Sequence, residues 1–176
     1  MLSFTNLSLR VGSELLIEDA SFTIYEANKI GLVGANGSGK TSLFKSILGE
    51  LDTYDGHINF AKDLRIASLA QEVAATADIA IDYVLSGDNR LLKVSLAIEK
   101  AEREGNTDLL GQLYDQYERL DGYASRARAE KLMLGLGFVP EDLEKALRDF
   151  SGGWRVRLNL ARTLMQPADL LLLDEP

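Results

Sequence analysis

Residues Gly34 to Thr41 read GANGSGKT, the pattern G-x-x-x-x-G-K-S/T, set between the apolar run KIGLV and the helix-forming stretch GKTSLFKSILG. Few short patterns restrict a fold as much. The glycines let the backbone wrap a phosphate chain, while successive N–H groups and a helix N-terminus draw the anion in. The chain must therefore deliver a strand into the loop and a helix out of it. On this reading Gly34, Ala35, Asn36, Gly37, Ser38 and Gly39 form the cradle, Lys40 neutralises the terminal phosphates and Thr41 reaches Mg²⁺. The plain alternative is a glycine-rich turn with no ligand.

From Leu2 to Ala70 the sequence reads as short strands around one helix: LSFTNLSLRV, LLIEDASFTIY, KIGLV, the loop helix, HINFA and LRIASLA. Alternation in the first two predicts an antiparallel layer with one wet face, and KIGLV is apolar enough for a central parallel strand. Beyond the polar stretch EVAATAD the character turns helical, to about Leu147. Leu91, Val94, Ile98 and Ala101 keep helical spacing, as do Leu109, Leu113, Tyr117 and Leu120. The turn EGNTD between them carries Thr107 as the expected N-cap, so the two segments form a hairpin. A further helix is expected over 124–136, and PEDLEKAL starts a short one with Pro140 in its first turn. From Ser151 the chain rejoins its first part through GGWRVRLNLARTLM and the strand LLLL. The expected division is 1–78 for an α/β core with the loop, 79–150 for a helical subdomain with an arm-like hairpin, and 151–176 for the returning segment.

The chain closes on LLLLDEP. In P-loop NTPases an acid at the end of a neighbouring buried strand holds Mg²⁺ beside the loop hydroxyl, which gives Asp174 that role and places Glu175 to polarise an attacking water. Alone, an apolar run ending in two acids is weak evidence; paired with the loop it is strong. Between the two motifs lies FSGGWRVRLNLAR, either an ordinary N-cap at Ser151 or a second phosphate-binding helix start built from a serine hydroxyl and glycine amides.

Composition narrows the class. With 176 residues and 46% hydrophobic content the chain can form one domain with an attached subdomain. It holds no cysteine and the single histidine His57, which excludes disulfides, thiolate metal sites and multi-histidine sites. No run approaches the roughly 18 to 20 apolar residues that span a bilayer, and the N-terminus lacks a signal-peptide pattern, so direct membrane insertion is not expected and a cytoplasmic location is. The net charge of −8 argues against a broad nucleic-acid footprint on this segment, though not against local basic contacts.

The order of P-loop, Gln71, helical insertion, SGGW and LLLLDEP resembles an ATP-binding cassette over essentially the whole chain: an α/β P-loop NTPase fold with an antiparallel β layer and a helical subdomain. The resemblance implies ATP and Mg²⁺ as cofactors, and Gln71 as a residue that touches the metal or water and reports to the helical part. It also makes Ser151, Gly152, Gly153 and Trp154 the signature that closes over a nucleotide bound by a second cassette. With Trp154 where most cassettes have glutamine, and with DYVLSGD and GLGF, the sequence is similar to the first cassette of the ABC-F subfamily, in its YheS-like branch. Members are cytosolic twin-cassette ATPases, many acting on the ribosome, and their hairpin, here about Leu91 to Leu120, contacts ribosome and tRNA. Two departures stand out. Val11 occupies the position of the usual adenine-stacking aromatic. The family's chains also continue past LLLLDEP, so the sequence reads as a fragment truncated at its C-terminus, expected to be a poor ATPase alone. Two rival readings are the ATPase subunit of a membrane transporter, against which stands the absence of a GERG-type stretch, and a non-hydrolysing nucleotide-binding interaction module.

Overall fold

A computed structural model describes residues 1–69 and 73–174. The chain forms two compact units, Met1–Ile66 with the segment from Ala168 onward, and Ala67–Pro167. In the first, β1 (Leu2–Val11), β2 (Glu14–Ile24) and β3 (Asp55–Phe60) make an antiparallel sheet in the order β2-β1-β3. Its register pairs Leu2 with Ile24 and Phe60, and Phe4 with Phe22 and Ile58. The buried apolar positions of β1 are even at Leu2 and Phe4 but odd at Leu7 and Leu9. That change of phase is the mark of a bulge, since one extra residue turns every later side chain to the other face. It falls at Asn6, whose φ is +48°, and a second irregularity follows on β2 at Asp19, with φ +45°. The Asn6 amide donates to the Asp19 carboxylate at 2.6 Å. On the other side Gly56, at φ +71°, lies so close to the Thr5 and Asn6 carbonyls that no side chain fits.

Helix α1 (Lys40–Ile47) packs on this sheet through Leu43 and Ile47, which share one core with Leu2, Phe4, Leu7 and Leu9. Strand β4 (Ile66–Ser68), whose Ile66 belongs to this unit, pairs with β5 (Leu170–Leu172), and Leu172 enters the same core. The expected strand KIGLV is absent. Residues 29–33 carry no strand, and Val33 is 94% exposed. A central parallel strand needs a ladder on both edges, and no described strand pairs with it, so apolar content alone leaves the run irregular.

The second unit is helical: α2 (Ala80–Leu85), α3 (Asn89–Glu104), α4 (Thr107–Arg119), α5 (Gly122–Gly135) and α6 (Gly152–Met165). Ala80, Ile81 and Val84 of α2, Ala129 and Met133 of α5, and Leu158, Ala161 and Met165 of α6 form its core, closed by Phe138, Leu147 and Phe150. Helix α3 buries Leu91, Val94, Ile98 and Ala101 at the spacing read in the sequence, whereas along α4 Leu113 and Tyr117 are half-buried and Leu109 is exposed. The cap of α4 is not Thr107 but Asn106, whose side chain accepts the Leu109 N–H at 3.2 Å. Asn106 takes the role because Gly105, at φ +68°, ends α3 left-handed one residue earlier and leaves Asn106 outside the next helix. PEDLEKAL yields a single 3₁₀ turn at Pro140–Asp142. Residues 143–148 instead lace to 76–81 by backbone bonds such as Ala80 N–H to Lys145 O at 2.9 Å. An isolated bridge between Ile79 and Ala146 interrupts the helix there, and a second 3₁₀ turn follows at Leu147–Asp149.

Asp88 caps α3 while buried to 1% exposure, accepting the N–H groups of Arg90 and Leu91 and the Arg90 guanidinium. Burial pushes its carboxyl upward, but the Arg90 side chain and these N–H donors together outweigh it, and the net shift is down. Its stabilisation is therefore full above the unfolded value of about 3.9 and is lost as pH falls through the lower folded value. Asp88→Ala is expected to reduce stability by about 1–2 kcal/mol near neutrality, as loss of an N-cap does. Urea unfolding at several pH values should show that deficit shrinking as the medium becomes strongly acidic.

Candidate functional site

The loop at 34–41 is shaped by its glycines. Gly37 and Gly39 have φ of +81° and +98°, and Gly39 is the N-cap of α1, with its carbonyl accepting the Leu43 N–H at 2.8 Å. A side chain on Gly39 would also come within 3.0 Å of Leu16 Cβ on β2. At Gly34 an added Cβ would come within 2.5 Å of the Ser38 hydroxyl, which would have to turn aside. The Lys40 ammonium folds back over the loop and donates to the carbonyls of Gly34 and Ala35 at 2.9 and 3.0 Å. Asn36, Gly37, Gly39, Lys40, Thr41 and Ser42 line a depression of about 160 Å³. Ser42 was not singled out from the sequence; its place directly after Thr41 at the start of the helix is the signal that could have found it.

Thr41 Oγ1 donates to Asp174 Oδ2 at 2.7 Å, joining groups 133 residues apart. Asp174 follows the end of β5 by two residues and is half-buried, and Leu172, the last residue of that strand, shares a core with Leu43. A hydroxyl and a carboxylate at this distance form a hard-oxygen pair suited to Mg²⁺, which takes one or two protein oxygens and fills its remaining positions with water and phosphate. No larger cluster of His, Cys, Asp or Glu competes for a metal among the described residues. Gln71 and Glu175 lie outside the described residues.

The SGGW segment belongs to the second unit. Ser151 occupies the N-cap position of α6, yet its side chain caps no N–H. Ser151, Gly152 and Gly153 are exposed, whereas Trp154 is half-buried and turned to the unit's own core. Its ring meets Phe138 edge-on, with centroids 4.8 Å apart, and carries the Arg157 guanidinium 4.7 Å from its centre. Arg157 in turn donates to Leu136 O at 3.3 Å. Gly137, at φ +94°, lies beneath both side chains, with Arg157 Nη1 3.4 Å from where its Cβ would be. GLGF and SGGWRVR are thus one packed unit, a coupling that the sequence shows only as two separate motifs. Val11 ends β1 half exposed beside the Gly12 turn, and next to it the Arg10 guanidinium lies 5.3 Å from the centre of the Tyr54 ring.

The profile of the ABC transporter family matches residues 17–176. The chain belongs to that family. Along its full length it is 43% identical to the "Probable ATP-binding protein YheS" of Haemophilus influenzae, and it spans 28% of that protein. It is 33% identical to ABC transporter F family member 5 of Arabidopsis thaliana, over 92% of this chain and 25% of that one. The resemblance to the YheS-like branch of ABC-F proteins therefore holds over the whole sequence. Among solved structures, an ABC transporter ATP-binding protein from Pyrococcus furiosus aligns with a TM-score of 0.69 at 23% identity, covering 99% of this chain and 75% of its own. That likeness bears out the cassette fold, an α/β core with an antiparallel sheet and helices. No helix among the described residues is long and apolar enough to cross a membrane.

Gly39 carries two constraints and Gly37 one, because open space surrounds Gly37. Gly39→Ala is expected to cost about 1–3 kcal/mol of stability and Gly37→Ala visibly less, both through a positive φ but only the first through Leu16 as well. Denaturant midpoints of the two variants measure the difference.

Proposed function

We propose that this chain supplies one ATP-binding half of a protein that binds and hydrolyses ATP with Mg²⁺ between two cassettes, and that works on the ribosome in the cytoplasm. The observation that carries the ATP reading is the Thr41–Asp174 contact at 2.7 Å, beside the Lys40 ammonium and the loop amides. Lys40 would exchange its two loop carbonyls for the β- and γ-phosphate oxygens, and loop N–H groups would complete the cradle. Thr41 and Asp174 would hold Mg²⁺, which supplies charge to the transferring phosphoryl group. Gln71, two residues beyond the described part of β4's exit, would touch the metal or its water. Glu175, next to Asp174 in sequence, would polarise the attacking water.

Ser151, Gly152 and Gly153, exposed at the start of α6, would close over the nucleotide held by the opposite cassette, with Trp154 holding that turn in place. Relatives that are several times longer leave room for the second cassette in the same chain. Kinship with F-family members over nearly the whole sequence favours the ribosomal role over that of a transporter subunit docked to a membrane protein. In this reading the α3–α4 hairpin reaches ribosome and tRNA. It has the necessary exposure, since α4 buries none of its residues.

In the full-length protein, Lys40→Ala is expected to weaken binding of a fluorescent ATP analogue by about 10- to 100-fold, the size of a lost charge-assisted contact. Glu175→Gln should slow single-turnover hydrolysis by about 10²- to 10⁴-fold with binding nearly intact. Wild-type affinity in the first, or wild-type turnover in the second, would refute the assigned role. For the ribosome, cosedimentation of the Glu175→Gln protein with ATP should drop when the hairpin is shortened around Gly105, while nucleotide binding persists. Equal recovery would return the hairpin to a scaffold role.

A further inference from the structure

The strand that delivers Asp174 has a register problem. LLLL from Leu170 to Leu173 is a run of one residue type, so a slip of one position replaces leucine by leucine and leaves the apolar contacts almost unchanged. The same slip would carry Asp174 along by about 3.3 Å and turn it to the other face, and the 2.7 Å contact with Thr41 would be lost. Something other than the leucines must fix the position of β5, and a polar marker stands at its root.

Arg65 lies one residue before β4, and Asp169 one residue before β5. Arg65 Nη2 donates to Asp169 Oδ1 at 2.6 Å, while Arg65 Nε and the Arg65 N–H both donate to Asp169 Oδ2, at 2.9 and 3.0 Å. In return Arg65 O accepts the N–H groups of Asp169 and Leu170 at 2.8 and 3.1 Å. Five hydrogen bonds thus link two residues and the first of the strand. The planar guanidinium fork meets both carboxylate oxygens, a geometry that tolerates no sliding. The Arg65 side chain first, and its backbone N–H second, hold the Asp169 carboxyl well below the usual range, so the pair stays charged. Both side chains are roughly half exposed, and pairs of that kind add little to stability. Their value here lies in registration.

We infer that Arg65 and Asp169 are positioning residues that set the register of β5 and thereby bring Asp174 to Thr41 for Mg²⁺ binding. The inference rests on the proposed MgATP site and touches no substrate itself.

The test titrates Mg²⁺ into the full-length protein with a fluorescent ATP analogue, and repeats the nucleotide titration in EDTA. Arg65→Ala and Asp169→Asn are expected to need about 10-fold more Mg²⁺ for half-maximal nucleotide affinity, the lower end of the effect of outer residues on metal sites. Affinity in EDTA and the melting temperature should stay at wild-type values. Arg65→Lys should restore little, because it keeps the charge without the fork, whereas the swapped pair Arg65→Asp with Asp169→Arg should recover most of the Mg²⁺ dependence. Wild-type Mg²⁺ dependence in Arg65→Ala would overturn the inference. So would an equal loss with and without Mg²⁺, which marks general damage to the fold. A wild-type protein whose nucleotide affinity ignores Mg²⁺ would overturn the metal site itself, and this assignment with it.

Discussion

The hydrogen bond from Thr41 to Asp174 joins the first turn of a helix to the exit of a strand 133 residues later, and it makes demands on everything between. Neither group can be brought there by local structure. Helix α1 must sit on the β1–β2–β3 sheet, which it does through Leu43 and Ile47. Strand β5 must reach the same core, which it does through Leu172. A single hydrophobic cluster holds both carriers against one core, and the polar pair at the root of β5 sets where along that core the strand comes to rest.

The two units solve the problem of holding an exposed glycine-bearing turn in different ways. The loop of the first unit relies on backbone conformation, with positive φ at Gly37 and Gly39 and the Lys40 ammonium tying its two ends. The Ser151 turn of the second has no side-chain cap. It is steadied from behind, where Trp154 is wedged between Phe138 and Arg157 over Gly137. A glutamine in that place could not fill the same aromatic seat, which gives the tryptophan a packing reason independent of any ligand.

Elements with their own periodicity or punctuation were legible in the sequence. The helical spacing of Leu91, Val94, Ile98 and Ala101 and the glycine pattern at 34–41 report local physics, and the structure reproduces both. KIGLV was misread because a parallel strand is defined by its neighbours, and apolar content says nothing of whether they pair with it. Thr107 and Asn106 compete for one cap, and the left-handed Gly105 before them decides it, a detail of dihedral angle. The bulge at Asn6 was in fact written in the sequence, as the change from even to odd apolar positions along β1, but that phase slip acquires meaning only once the register with β2 and β3 is known.

The α3–α4 hairpin has a mechanical side. Its first helix is 16 residues long, about 24 Å at 1.5 Å per residue, and is pinned at its root by the buried Asp88 cap. Towards the far end the Tyr114 hydroxyl donates to Glu102 at 2.7 Å and ties the two helices together. A rotation of about 10° at the cap would swing the tip by roughly 4 Å over that length. On geometry alone the hairpin has the proportions of a lever whose fulcrum is the buried Asp88, where a small change in angle becomes a displacement as large as a side chain.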